Sequence, residues 1–317
     1  MKRLLNEFSD SWFRGAPAER LAMLRILVGL FAVCLVGSNL LMWTRIGYTT
    51  PDLFRPLGVV SILSQPLSPV VNQILLICTV VLGVPFILGW RYRVTGPAFA
   101  VLLLWVISYR LSWSMVYHSM HLVVLHVLVL GLSPAADALS LDARGRSTVG
   151  VGPEPASAWK YGFPVRLICA VTACAYFVTG VAKVASPLGW SWASGESIRS
   201  QVAADAIRKE LLGTAGSSLF YRLYHHLWLF TTMGVMTYFV ELGAPLALLN
   251  KRLGKLWAVT AYMMHWGILF IMSIEFRYHL SGIVFLSFFE LERVPTWLHG
   301  LRTRRAGPLV SAPASQA

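Results

Sequence analysis

Apolar runs of about twenty residues recur along this chain, and nothing else in it constrains the fold so tightly. As a helix, a run of that length matches the ~30 Å hydrocarbon core of a bilayer. Backbone groups inside lipid must pair within their own segment, so repeated runs predict a helical bundle. The runs lie at about 21–43, 70–90, 97–113, 116–132, 163–183, 227–249 and 256–274. An eighth, at 278–289, is short for a span and is open to tilting, breakage or extension by its flanks. The expected fold is all-α: a polytopic integral membrane bundle of about eight transmembrane helices.

Charged residues make up 13% of the chain, against roughly a quarter in soluble domains. The net charge of +13 would suggest nucleic acid in a soluble protein. Here the basic residues sit in short loops between apolar runs, where the positive-inside bias accounts for them. No nucleic-acid partner is expected; the partner is the lipid bilayer. Eight spans place Lys2, Arg3, Arg14, Arg91, Arg93, Arg144, Arg146, Lys160, Lys251, Arg252, Lys255 and the basic tail on one side. That predicts a multi-pass protein of the cell membrane with both termini cytoplasmic.

Residues 1–20 read as a cytoplasmic segment, either an interfacial helix built on Leu4, Leu5, Phe8, Trp12 and Phe13 or a disordered tail. Residues 21–292 form the membrane domain, and 293–317 a basic, disordered cytoplasmic tail. The first run is too long for a cleaved signal peptide. Arg25 reads as a snorkelling residue, and residues 133–163 as loop. Cys34, Cys78, Cys169 and Cys174 read as small core hydrophobes. Between Gly195 and Gly213, Ile198, Val202, Ala206 and Leu211 fall near one helical face. This predicts an amphipathic helix on the outer surface, either lidding a cavity or simply lying there.

Polar side chains within spans cost free energy, so each needs a reason. Thr172, Tyr176, Thr179 and Lys183 follow spacings of four, three and four, a stripe about 60° wide on one helix. Such a stripe should face a cavity or a partner helix. Lys183 closes its apolar run and is followed by Pro187, Gly189, Trp190 and Trp192. It reads either as a snorkelling anchor or as a buried base. Burial of an amine disfavours its charged form, and a neutral amine can take the proton of a hydroquinone. His118 and His121 lie one turn apart, but no third and fourth ligand is evident, so hydrogen bonding is expected there and no metal. His126 reads as a satisfied core histidine, and His265 as an interhelical hydrogen bond or a cavity-lining group. Glu241 requires a partner, a histidine or arginine, or a proton. Glu275, Arg277 and His279 read as one outer polar cluster.

Tyr176-Phe177-Val178-Thr179-Gly180-Val181-Ala182-Lys183-Val184, followed by Trp192 and Gly195-Glu196-Ser197, resembles the Tyr-Phe-x-x-Gly-Val-x-Lys-Leu…Trp…Gly-x-Ser segment of the vitamin K-dependent gamma-glutamyl carboxylases. Tyr117-His118-Ser119 resembles their Asn-His-Ser segment, and Tyr262-Met263-Met264-His265 a later segment with a functional histidine. Val184 and Tyr117 depart from that pattern. The resemblance covers about residues 15–292, the portion known as the HTTM domain. It implies that Lys183 is the base that deprotonates a quinol, reduced vitamin K or menaquinol, with oxygen and carbon dioxide as co-substrates. By the same resemblance His118 and His265 stabilise anions. Tyr117, His121, Tyr176 and Thr179 are the candidates for holding the quinol. The function it implies is a quinone-linked lyase of the carboxylase type at the non-cytoplasmic face. Other HTTM proteins are linked to maturation of secreted peptides, so the alternative is a non-enzymatic membrane partner in maturation or export of such a peptide.

Overall fold

The computed structural model describes residues 12–113, 118–148 and 157–293. The expected N-terminal surface helix and the basic tail therefore lie largely outside the described residues, as does Tyr117. The helices in chain order are α1 (Ala18–Ser38), α2 (Leu40–Ile46), α3 (Pro69–Leu88), α4 (Tyr92–Leu111), α5 (His118–Gly131) and α6 (Leu141–Thr148). They continue with α7 (Trp159–Ala185), α8 (Glu196–Leu211), α9 (Ser218–Leu223), α10 (Leu227–Leu242), α11 (Lys251–Met272) and α12 (Arg277–Leu280). Among the described residues there is no strand, only an isolated bridge between Ala16 and Ala158. Helices α1, α3, α4, α7 and α11 are long and apolar enough to cross a membrane, and α5 and α10 are shorter apolar helices.

Helix α3 shows how the sequence sorts lipid from protein. Val70, Ile74, Val81, Val84 and Leu88 are exposed on one side, while Asn72, Leu76, Thr79, Gly83 and Phe86 are buried on the other. The small and polar residues thus face protein, as expected where helices associate without a hydrophobic drive. Gly83 admits Val33 of α1, and Gly29 of α1 admits Phe86, each so closely that a methyl group would clash. Ser68 caps the start of α3 and Gly89, at φ 63°, ends it. Asp142 then receives the Arg91 and Tyr92 amides at 2.8 Å each, capping α4 from the connection that the sequence suggested was loop. Part of that connection is α6, and residues 149–156 lie outside the description.

The bundle has two distinct ends. At one, Arg20 forms a two-point ion pair with Glu292, and Lys251 and Lys255 meet Glu290. At the other lie Lys183, α8 and the 51–62 loop, where Phe54 and Val60 pack on Tyr109 and Trp113. The last apolar run connects the two. Glu275 and Arg277 share a cavity with Asn39 and Trp43 beyond the far end of α1, while Glu292 reaches Arg20 near its start. That segment is broken: α12 has four residues, Gly282 turns at φ 75°, and Ile283–Phe288 is a 3₁₀ helix. At about 2 Å rise per residue, its stretched backbone covers roughly the length that α1 covers at about 1.5 Å. It is interior rather than lipid-facing, with Tyr278, His279, Val284 and Phe285 buried.

Three other expectations are corrected. Arg25 does not snorkel; it is fully buried and donates to the carbonyls of Ala135 (2.8 Å) and Leu139 (2.6 Å). Both carbonyls lie in the irregular turn between α5 and α6, where no helical amide serves them, so the guanidinium supplies buried donors. Three of the four cysteines are exposed and only Cys169 is buried. Glu275 and Arg277 pair on the surface at 3.3 Å, whereas His279 turns inward, so the three do not form one cluster.

Candidate functional site

The polar stripe of α7 meets three other segments of the bundle in succession. Deepest is Thr172, fully buried, whose hydroxyl donates to Ile168 O at 2.9 Å. Its oxygen therefore accepts from His126 Nε2 at 3.0 Å, which leaves His126 Nδ1 to accept the Tyr278 hydroxyl at 2.8 Å. Both ring nitrogens are satisfied, as expected for a core histidine. This relay joins α5, α7 and α12.

One turn further along, buried Tyr176 sits in an aromatic cage. Its ring meets Trp257 edge-on at 5.0 Å and His265 at 5.8 Å, and its hydroxyl lies 3.4 Å from His265 Nδ1. The shorter bond of that nitrogen is to Ala261 O at 2.8 Å, so Nδ1 carries the proton and Nε2 the lone pair in the neutral ring. His279, from the broken segment, stacks on His265 at 4.2 Å and 11°. The sequence placed His265 correctly inside the bundle. It missed His279, because an inward turn after Phe276 cannot be read from composition.

Thr179 leaves the line. It is exposed and bonds back to Ala175 O at 2.9 Å, the self-satisfied state open to any helical threonine. Gly180, on the buried side, is the position that matters for approach. A methyl group there would come within 2.9 Å of Glu241 Cβ, so the glycine lets α10 close on α7. Lys183 then reaches across and pairs with Glu241. The side chain of Glu241 is 6% exposed and that of Lys183 25%. Glu241 thus finds its partner in a lysine, not in the histidine or arginine expected. Its second oxygen, Oε2, is buried and receives no hydrogen bond from any described residue.

The chain beyond Lys183 folds back on the helix that carries Glu241. Ser186 donates to Lys183 O, Tyr238 donates to Gly189 O at 2.6 Å, and Thr231 donates to Ser194 O at 2.7 Å. Gly195 takes φ 82° where any side chain would strike the backbone of Thr231, and Gly234 admits the Trp192 carbonyl. Helix α8 follows, as the sequence predicts, with Val202 and Ala206 buried against Phe220, Phe230 and Ile271. Leu211 is exposed, because five residues after Ala206 the helix has turned about 140° off that face. Lys209 ties α8 to the end of α11 through the Ser273 carbonyl. On α5, His121 is exposed, and the side chain of His118 lies outside the description.

These features define a class: an integral membrane helical bundle with a lysine–glutamate pair and a histidine–tyrosine cage buried towards one end. Residues 13–289 match the HTTM domain, and the chain belongs to that family. No curated protein and no solved structure matches it.

Proposed function

We propose that this chain is a quinone-linked enzyme related to the vitamin K-dependent gamma-carboxylases, with Lys183 as its base and the Lys183 end as its non-cytoplasmic face. The observation that supports the reading best is the Lys183–Glu241 pair with Glu241 Oε2 open to a further donor. A hydroxyl is such a donor, so the pair fits a quinol. When bound, reduced vitamin K or menaquinol would supply the reducing equivalents with which oxygen is activated for proton abstraction and carbon dioxide capture.

The protein's own part is proton handling. With the shared proton on Glu241, the Lys183 amine is neutral and can accept one proton, and the cation so formed would stabilise an anion beside it. Glu241 orients the amine, and Gly180 keeps the two helices close enough for it to do so. Exposed Phe177, Val178 and Val181 flank the stripe and give an apolar approach from the bilayer. Tyr176 and His265 would position the ring or stabilise anions, with His118, His121, Tyr117 and Thr179 as outer contacts. The basic residues around Arg20, Arg91, Arg144, Lys160 and Lys251 support cytoplasmic termini.

Quinol oxidation by the purified full chain, with vitamin K hydroquinone and menaquinol, tests the reading. Lys183→Ala should cost about 10²–10⁴-fold in rate. No turnover by the wild type with either quinol would overturn it. One observation favours the alternative, a non-enzymatic partner for a secreted peptide: Ile207, Leu211 and Leu212 are exposed apolar residues at the C-terminal end of α8. That reading predicts unchanged peptide maturation in Lys183→Ala.

A further inference from the structure

The opposite end of the bundle carries a cavity that has no part in the proposed enzyme chemistry. A cavity of about 540 Å³ opens there between the starts of α1, α7 and α11, lined among others by Arg14, Arg20, Arg166 and Lys251. The first turns of α1 and α11 border it, and a helix start carries a partial positive charge. Glu290 lines it too but is matched by three cations, Lys251, Lys255 and Arg293, and Glu292 beside it pairs with Arg20. Arg14 and Arg166 line the same space. Arg166 is held there by its bond to Leu248 O and by packing over Trp12. Cationic side chains gathered around one cavity at a membrane-facing end form a setting that a bound anion would neutralise.

We propose that this cavity binds a phosphate group, supplied either by an anionic phospholipid headgroup or by a free phosphate. Arg14 and Lys251 would contact its oxygens, with the buried Ser287 hydroxyl on the cavity floor.

The test is thermal unfolding of the full chain in neutral detergent with short-chain phosphatidylglycerol, short-chain phosphatidylcholine or inorganic phosphate. At a hundredfold excess over Kd, a ligand of this site should raise the melting temperature by roughly 5 °C or more. Protection by phosphatidylglycerol alone assigns the lipid source, and equal protection by inorganic phosphate assigns the free one. Arg14→Gln and Lys251→Gln should each weaken the effect about fivefold. Arg252→Gln, exposed at the same end but outside the cavity, should change it less than about twofold. Arg14 is exposed, so its variant should melt like the wild type without ligand. No shift with any probe, or equal weakening by Arg252→Gln, overturns the proposal.

Discussion

Arg25 is fully buried and donates its guanidinium to two backbone carbonyls, with the Tyr92 ring 5.7 Å away. Lys183 lies near the opposite end of the bundle, a quarter exposed, and meets a buried carboxylate that has an oxygen to spare. Both are cations in apolar helices, yet the surroundings give them different work. A guanidinium cannot lose its proton in a protein and can bridge two carbonyls at once, which suits a permanent brace for the turn between α5 and α6. An ammonium beside a carboxylate can exchange its proton, which suits chemistry. The difference teaches that an intramembrane charge is interpreted through its partner rather than through its depth.

Substituting Arg25 should sharpen that contrast most. Arg25→Met removes two charge-assisted hydrogen bonds and should cost about 3–5 kcal/mol, measured by unfolding in detergent. Quinol turnover per folded molecule should be unchanged, and a selective loss of turnover would break the distinction. Lys183 and Glu241 should show the opposite balance. Lys183→Ala and Glu241→Ala should each destabilise by about 2–3 kcal/mol, since each leaves a charge without its partner. The double variant should lose less than the sum, with a coupling of about 1–2 kcal/mol. Additive losses would mean that the pair does not form.

Thr172→Val tests the relay between the two regions. It leaves His126 Nε2 without its acceptor and should cost about 1 kcal/mol, with little change in quinol turnover. The smallest effect belongs to α8. Burial acts to raise the Asp205 carboxyl, but hydrogen bonds and charge from Lys209 and Arg208 outweigh it and hold the carboxyl below its usual range. A carboxyl depressed on folding contributes stability above its unfolded value of about 4, and that contribution is lost as pH falls through the lower folded value. Amide exchange over residues 196–211 should therefore speed up at low pH by less than about 1 kcal/mol in opening energy, with Asp205→Asn giving the same change at neutral pH.

The membrane bundle and the helix at 196–211 were legible because periodicity and run length are local properties. The stripe from Thr172 to Lys183 was legible for the same reason, although Thr179 bonds back to its own helix and leaves the contacts between helices to the other three. Glu241 was visible as a residue needing a partner. The identity of that partner was not, because Lys183 is 58 positions away and the meeting depends on Gly180. Arg25 was misread because a snorkelling arginine and one bracing a buried turn look alike until the turn at Ala135–Leu139 is placed beside it. The shortness of the last run left breakage open, but the place of the break was not legible, because Gly282 marks a turn only once its backbone is seen.

The central claim is that Lys183 donates and accepts a proton, beyond holding Glu241 in place. Lys183→Arg preserves a cation for Glu241 but cannot supply a neutral base. The deciding measurement is the rate of quinol oxidation by this variant beside the wild type, in protein shown by unfolding to be equally stable. A folded variant with at least about a hundredfold slower turnover is the predicted result; a folded variant that turns over at the wild-type rate would contradict the assignment of Lys183 as the base.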